Sequence, residues 1–220
     1  PEWVKDDPVT LYTYRCDGLT LYTAPPMGVV FPGTRDELVN LVKKLQSLKI
    51  PFVPRGAGTG LSGGAVPREQ SVIIEMARFK EVHDIDWVNR TITVGPGVIN
   101  LRISEKVQPD GYHYVPDPSS QKACTIGGNV AENSGGPHTL KYGVTVNHVL
   151  GLEMVLPDGE VVELGGKHFP ILGPDMLALV IGSEGTFGIV TKITCRLTPN
   201  PEKAITLLGV FDSVHKACEG

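Results

Sequence analysis

The chain has 220 residues, with 20 basic and 24 acidic side chains, a formal net charge of −4, 41% hydrophobic and 20% charged residues. This ordinary globular usage excludes a disordered, collagenous or coiled-coil chain and leaves no bulk positive charge for gripping nucleic acid. The 26 glycines and 18 prolines are in excess, since average usage of the two together is roughly 12%, and they point to main chain held close to a ligand.

In chain order, residues 28–31 predict a short strand, and Thr34-Arg35-Asp36-Glu37 has the S/T-x-x-E spacing of a capping box. A helix is expected next, with Leu38, Leu41, Val42, Leu45 and Leu48 on one face. Phe52-Val53-Pro54 makes the following strand and completes a β-α-β start, and a glycine-rich stretch, Arg55 to Gly64, comes straight after it. Short strands are expected over 72–76, 82–86 and 91–94, and a helix over 98–107 stopped by Pro109. Strands at 149–156 and 160–164 flank Pro157-Asp158-Gly159, the Asp-Gly signal of a hairpin, and 188–197 is a further strand rich in β-branched residues. No internal repeat or low-complexity linker interrupts the pattern. The expectation is an α+β protein of two α/β lobes, about 1–115 and 116–205, the second largely antiparallel, with a seam near 116–118.

Cys16, Cys124, Cys195 and Cys218 stand far apart with no C-x-x-C pair. Neither a zinc site nor an iron–sulphur ligand run is read from them, no metal is expected, and a reducing compartment is the default. No apolar run approaches the roughly 18 residues of a membrane span, and no leader-like segment opens the chain, so a soluble, cytoplasmic protein is expected. The chain opens at Pro1, and an apolar run over 205–211 is followed by the cap-like pair Asp212-Ser213. A helix that stops just after its cap predicts a piece of a longer protein.

Within the first glycine loop, Gly58, Gly60 and Gly63 match G-x-G-x-x-G. A dinucleotide fold needs that motif to open a helix, yet only residues 65–70, with Pro67 among them, precede the next strand. The Walker loop fails as well, because Gly63 is followed by Gly64 and Ala65 and no lysine is present for a phosphate. A flexible connection is the bland reading. Consecutive glycines with Thr59 and Ser62 between them suit a nest of N–H groups around an anion better, with a diphosphate as natural occupant. On that reading a Cβ at Gly58 enters the space of the diphosphate.

Two more clusters follow: Asp117-Pro118-Ser119-Ser120 leading into 125–136 (T-I-G-G-N-V-A-E-N-S-G-G), and 182–191 (G-S-E-G-T-F-G-I-V-T). Three such segments argue for a long ligand touching main chain at several points. Together with R-G-A-G-T-G-L-S-G-G at 55–64 and Lys141-Tyr142-Gly143, they resemble the FAD-binding domain of the vanillyl-alcohol oxidase and p-cresol methylhydroxylase superfamily. The wording is most similar to the FAD-binding subunits of glycolate oxidases, then to D-lactate and D-2-hydroxyglutarate dehydrogenases.

The resemblance implies a p-cresol methylhydroxylase-type domain over 1–205, with 206–220 as the start of a substrate or cap domain. It implies that the first loop, Pro54, Arg55, Gly56, Ala57, Gly58, Thr59, Gly60, Leu61 and Ser62, wraps the FAD pyrophosphate. Asp117, Pro118, Thr125, Gly128, Asn129, Ala131, Asn133 and Ser134 would run beside the flavin and ribityl chain, and Glu184, Gly185, Gly188 and Ile189 near the adenine end. Glu132 and Thr186 are equally cap or turn residues. Some members tether FAD through a histidine after the first glycines; Thr59 and Gly60 occupy that region here, which implies noncovalent FAD. His138 either faces the flavin as an acid or base or serves as a structural hydrogen-bond partner, Tyr142 either packs on the cofactor or shapes its loop, and Lys141 reads as a solvated charge. The groups that bind the substrate carboxylate lie in the family's cap domain, so no catalytic residue is named. The activity implied is hydride transfer from the α-carbon of a small 2-hydroxy acid, of glycolate or D-lactate type, to flavin N5, in company with further glycolate oxidase subunits including an iron–sulphur subunit. Any membrane association would be made through those partners. The alternatives are a noncatalytic FAD-carrying module or subunit of a larger redox complex and, more weakly, an NAD or nucleotide-phosphate binder.

Overall fold

Residues 2–167 and 173–219 are described by a computed structural model in which two sheets divide the chain. The first sheet is built from β1 (Val4–Lys5), β2 (Gly28–Val30), β3 (Phe52–Arg55) and β4 (Val72–Glu75), with α1 (Pro8–Thr13) and α2 (Arg35–Ser47) between its strands. Its order is β1-β2-β4-β3: β2 and β3 run parallel to β4, and β1 closes the edge antiparallel. Leu38, Val42 and Leu45 of α2 pack on Val72 and Ile74, the i, i+4, i+7 face expected from the sequence. Thr34 Oγ1 caps α2 by accepting from the N–H of Glu37 at 3.2 Å. The returning half of the expected box is shifted by one residue, because Glu37 accepts from the N–H of Gly33 at 2.6 Å.

The second sheet is entirely antiparallel, in the order β5-β6-β10-β8-β9. Its strands are β5 (Val82–Asp86), β6 (Thr91–Val94), β8 (Val149–Val155), β9 (Val161–Gly165) and β10 (Ile189–Arg196). Between them in sequence come α3 (Asn100–Val107), β7 (Tyr112–His113), α4 (Ile126–Glu132), α5 (Thr139–Tyr142) and α6 (Met176–Val180). After them, β11 (Thr198–Pro199) pairs with β7, and α7 (Val214–Glu219) follows Ser213, whose Oγ accepts from the N–H of Lys216. β10 alternates buried and solvent-facing residues along its length, as a strand with one covered face must. The main core gathers Ile92, Val94, Leu152 and Ile193 of this sheet under Ile103 and Val107 of α3, Ile126 and Val130 of α4, and Leu177 and Val180 of α6.

The structure moves the seam. The change of sheet falls between Glu75 and Val82, not near 116–118, so β5 and β6 belong with the second sheet. Proline and glycine at 116–118 are louder in the sequence, but the switch is decided by tertiary pairing: β6 lies against β10, and the turn at 76–79 is held by Gly97, whose N–H donates to Phe79 O at 2.9 Å. The second glycine run, where no helix was expected, contains α4, because Thr125 caps it and Ile126 and Val130 are buried despite Gly127 and Gly128.

Val155 and Ile189 of the second sheet close the core of the first. A buried carboxylate joins the lobes as well. Glu153 of β8 accepts from Thr191 Oγ1 at 2.8 Å, Lys192 Nζ at 2.9 Å and Arg35 Nη1, at the start of α2, at 3.3 Å. Burial pushes its carboxyl up, but these partners outweigh it and hold it below the usual range.

Candidate functional site: a cleft built on three glycine segments

Parallel strands need a crossover connection, usually a helix. Between the parallel neighbours β3 and β4 the connection is residues 56–71, and it has no helix. Its first part lies at the C-terminal end of β3, where the cleft opens. Among the described residues, none accepts a hydrogen bond from the N–H groups of residues 57–62. Half-buried N–H groups are almost always paired, so the open donors of the half-buried Gly58, Thr59 and Gly60, flanked by the exposed residues 57, 61 and 62, are a ready anion seat.

The loop is held from outside itself. Asp17, buried, accepts from the N–H of Gly63 at 2.9 Å and Leu19 at 2.9 Å, while the N–H of Gly18 donates to Gly60 O at 2.9 Å. Arg55, also buried, donates through Nη1 to Cys16 O at 2.8 Å and Ala65 O at 3.0 Å. A Cβ on Gly58, whose φ is +66°, would overlap the Arg55 guanidinium. The missing side chain at Gly58 makes room for Arg55 within the loop that the motifs assign to the diphosphate. Beneath the loop, Glu75 lies opposite Arg55 in the parallel register. Burial pushes its carboxyl up to about 7, against the pull of Arg55 and of nearby N–H groups. Tyr14, whose ring centre lies 5.3 Å from Arg55 Cζ, is raised by burial and by Glu75, with Arg55 opposing.

The opposite wall is α4. The N–H groups of Ile126 and Gly127 donate to Val98 O and Pro96 O, and that of Gly128 to Thr125 Oγ1, so this helix start has spent its donors on protein. Its other end is closed by the third segment: Gly182 and Glu184 donate their N–H groups to Val130 O and Ala131 O, each at 2.8 Å. That turn needs φ of +85° at Gly182, +55° at Glu184 and +74° at Gly185. Past Gly64 and Glu184 the cleft continues into a second hollow lined by Val42, Phe52, Val155 and Leu156.

Residues Pro54, Arg55, Gly56, Ala57, Gly58, Thr59, Gly60, Leu61, Thr125, Gly128, Asn129, Ala131, Ser134, Glu184, Gly185, Gly188 and Ile189 line the first cleft together. Four expected residues lie off its lining. Ser62 donates to Glu132 Oε2; Asn133, at φ +51°, ends α4 and accepts from the N–H of Val146 at 2.9 Å; Asp117 pairs with His138, Oδ2 to Nδ1, at 2.6 Å; and Pro118 accepts from the N–H of Gln121. His138 is therefore a clasp between two loops, and neither it, Lys141 nor Tyr142 is on the lining. The cation of Lys141 rests 4.8 Å from the centre of the Tyr142 ring. Gly188 is demanded by packing, since a Cβ there would meet Met154 Cε at 2.5 Å and Val155 O at 2.6 Å.

The lining also includes Met76, Pro96 and Cys124, which lie outside the motifs singled out in the sequence, and Ser120, Gly127, Val130 and Glu132, which lie in those motifs but were not assigned to the cofactor. Gly95-Pro96-Gly97 was a readable turn signal. The i, i+3, i+4 spacing of Gly127, Val130 and Ala131 marks the face of α4 turned to the cleft, once the helix is seen.

Residues 26–165 match the family described as FAD binding domain. The chain belongs to that family, and its cofactor is FAD. It is 51% identical over 204 residues to the glycolate oxidase subunit GlcD of Escherichia coli (strain K12), covering 93% of this chain and 41% of that protein. Against the GlcD of Bacillus subtilis (strain 168) the identity is 40%, with coverages of 100% and 47%, and against the D-lactate dehydrogenase of Archaeoglobus fulgidus it is 36%, with 93% and 47%. Among solved structures, alkyldihydroxyacetonephosphate synthase superposes with a TM-score of 0.82 at 25% identity, over 92% of this chain and 39% of that one. The chain thus spans less than half the length of these relatives. This is the FAD-binding fold of the vanillyl-alcohol oxidase and p-cresol methylhydroxylase superfamily, as the sequence motifs implied. The cleft fits FAD on its own terms, with open N–H groups for a diphosphate, glycine-lined walls and room at both ends.

Among the described residues no helix is long and apolar enough to cross a membrane, and no group of three or more His, Cys, Asp or Glu is placed to hold a metal ion.

Proposed function

We propose that residues 1–205 form the flavin seat of a 2-hydroxy-acid dehydrogenase of the glycolate oxidase type, and that 206–220 begin its substrate domain. The observation that carries this reading is the row of unpartnered N–H groups at 57–62, which would hold the diphosphate of a noncovalently bound FAD. The adenine end lies toward Glu184 and the hollow beyond it, and the flavin end toward Ser120 and Ser134. Bound FAD supplies the acceptor for the hydride that leaves the substrate α-carbon.

The chain's own residues bind and orient. Gly56, against which Thr125 Oγ1 packs, and Gly58, above Arg55, let backbone approach the ligand where a side chain would stand off. Asp17 and Arg55 fix the loop, so its donors are aimed before the anion arrives, which is how a preorganised seat gains affinity. The charged side chains on the lining are Arg55, Glu132 and Glu184. Among the described residues the one cation on this lining, Arg55, belongs to the loop assigned here to the diphosphate, so none is left for a substrate carboxylate. This supports a grip supplied from outside 1–220, by a substrate domain or by partner subunits such as an iron–sulphur protein.

The test is to load the protein with FAD and precipitate it with acid. Release of all the flavin as FAD into the supernatant is expected. Flavin remaining in the pellet would show a covalent tether, and failure to retain FAD at neutral pH would overturn the reading.

A further inference from the structure

Glu75 and Arg55 sit at matched positions at the ends of β4 and β3, 4% and 8% exposed. Arg55 lines the cleft and its guanidinium lies against Gly58, within the row of open N–H groups, and Glu75 is its neighbour across the register. The groups that face Glu75 are Arg55 from β3 and Tyr14 from the N-terminal arm. Asp17, on the same arm, has its carboxylate taken by the N–H groups of Leu19, Thr20 and Gly63. Resting on the FAD reading above, we propose that Glu75 is a positioning residue that takes up a proton from water when the FAD diphosphate settles over Arg55.

The argument is one of shared charge. Arg55 is always protonated and is fixed by the carbonyls of Cys16 and Ala65 and by the absence of a Cβ at Gly58. With Glu75 ionised, its negative charge acts on that guanidinium from across the register and lessens the positive field at the loop. With Glu75 protonated, the whole cation serves the anion above it. The diphosphate and the carboxylate compete for one buried positive charge, where salt screens weakly.

Tyr14 does not change the count, because its hydroxyl is held protonated by burial and by Glu75. The poise is favourable, since burial pushes the Glu75 carboxyl up to about 7. Coupling is reciprocal: if the diphosphate raises the proton affinity of Glu75, protonation of Glu75 raises the affinity for FAD by the same factor. Affinity is then highest below the titration of Glu75 and falls as pH rises through it.

The test is calorimetric titration of the apoprotein with FAD in buffers of different ionisation enthalpy, from about pH 5.5 to about pH 8.5, which reads the protons bound. Uptake of a fraction of one proton, greatest near neutrality, is expected, with an affinity loss of about fivefold from the acid to the alkaline limit. In E75Q, an isostere of the protonated acid, uptake should vanish and affinity should stay at the acid-limit value throughout. If E75Q does not fold, infrared difference spectra of the wild type give the same readout, because a protonated-carboxyl band must grow when FAD is added at neutral pH. Binding of FAD by the wild type without proton uptake, or equal uptake in E75Q, overturns this inference and leaves the FAD seat standing. Absence of FAD binding at every pH overturns both.

Discussion

The first glycine loop and the second glycine run are both rich in glycine and put it to opposite uses. At 57–62 the backbone donors are left open and the loop is anchored by side chains from elsewhere, Asp17 and Arg55. At 125–136 nearly every polar group is spent inside the protein. Thr125 caps α4, Asn129 donates to Asn100 Oδ1 at 2.8 Å, Asn133 holds Val146, and Ser134 O accepts from Thr145 Oγ1 at 2.7 Å. The glycines differ in the same sense. In the second run Gly127 makes room for the backbone and ring of Pro96 and Gly136 for the backbone of Asp117, whereas in the first loop Gly56 and Gly58 make room for side chains, Thr125 and Arg55, and Gly63 has nothing within 4 Å of a built Cβ. Glycine richness alone therefore does not mark a binding loop; the mark is the fate of the N–H groups.

Three substitutions would break or sharpen this contrast. The largest effect is expected from Gly136→Ala, whose Cβ would overlap the carbonyl oxygen of Asp117, a backbone atom that cannot swing aside. A loss of about 3 kcal/mol or more in chemical denaturation of the empty protein is expected, in the range of severe core overpacking. A midpoint within experimental error of wild type would show that the second run is not the packed element described.

Next comes Gly58→Ala, which must adopt φ near +66° and displace Arg55. Fluorescence titration should show FAD affinity lowered about tenfold or more, which corresponds to about 1.4 kcal/mol. Unchanged affinity would detach Arg55 and its loop from the diphosphate. The smallest effect belongs to Gly63→Ala, at φ +90° with open space around it. Only backbone strain is added, about 1 kcal/mol of stability, and FAD affinity should stay within about twofold of wild type. A loss of affinity as large as that of Gly58→Ala would mean that the two ends of the loop are not held independently.

The legible parts of the fold are those fixed by local chemistry. Thr34 and the leucines of α2 announced a capped amphipathic helix, and the ten residues 55–64 announced a ligand loop because too little chain followed for a helix. What escaped was set by distant partners. α4 carries two glycines in its first turn and is helical because tertiary burial of Ile126 and Val130 overrides weak propensity. The passage from one sheet to the other depends on β6 finding β10, a pairing about a hundred residues apart in sequence that no local signal encodes. The role of Arg55 was hidden for the same reason. Its partners are backbone carbonyls of Cys16 and Ala65, which any residue type would have supplied.

A helical crossover between β3 and β4 would have satisfied its own backbone and stood by itself. The helix-free stretch over 56–71 cannot, and what it lacks the cofactor provides. Anything that binds only the folded chain stabilises it by mass action, so the folded chain gains stability with the logarithm of the free FAD concentration above its dissociation constant.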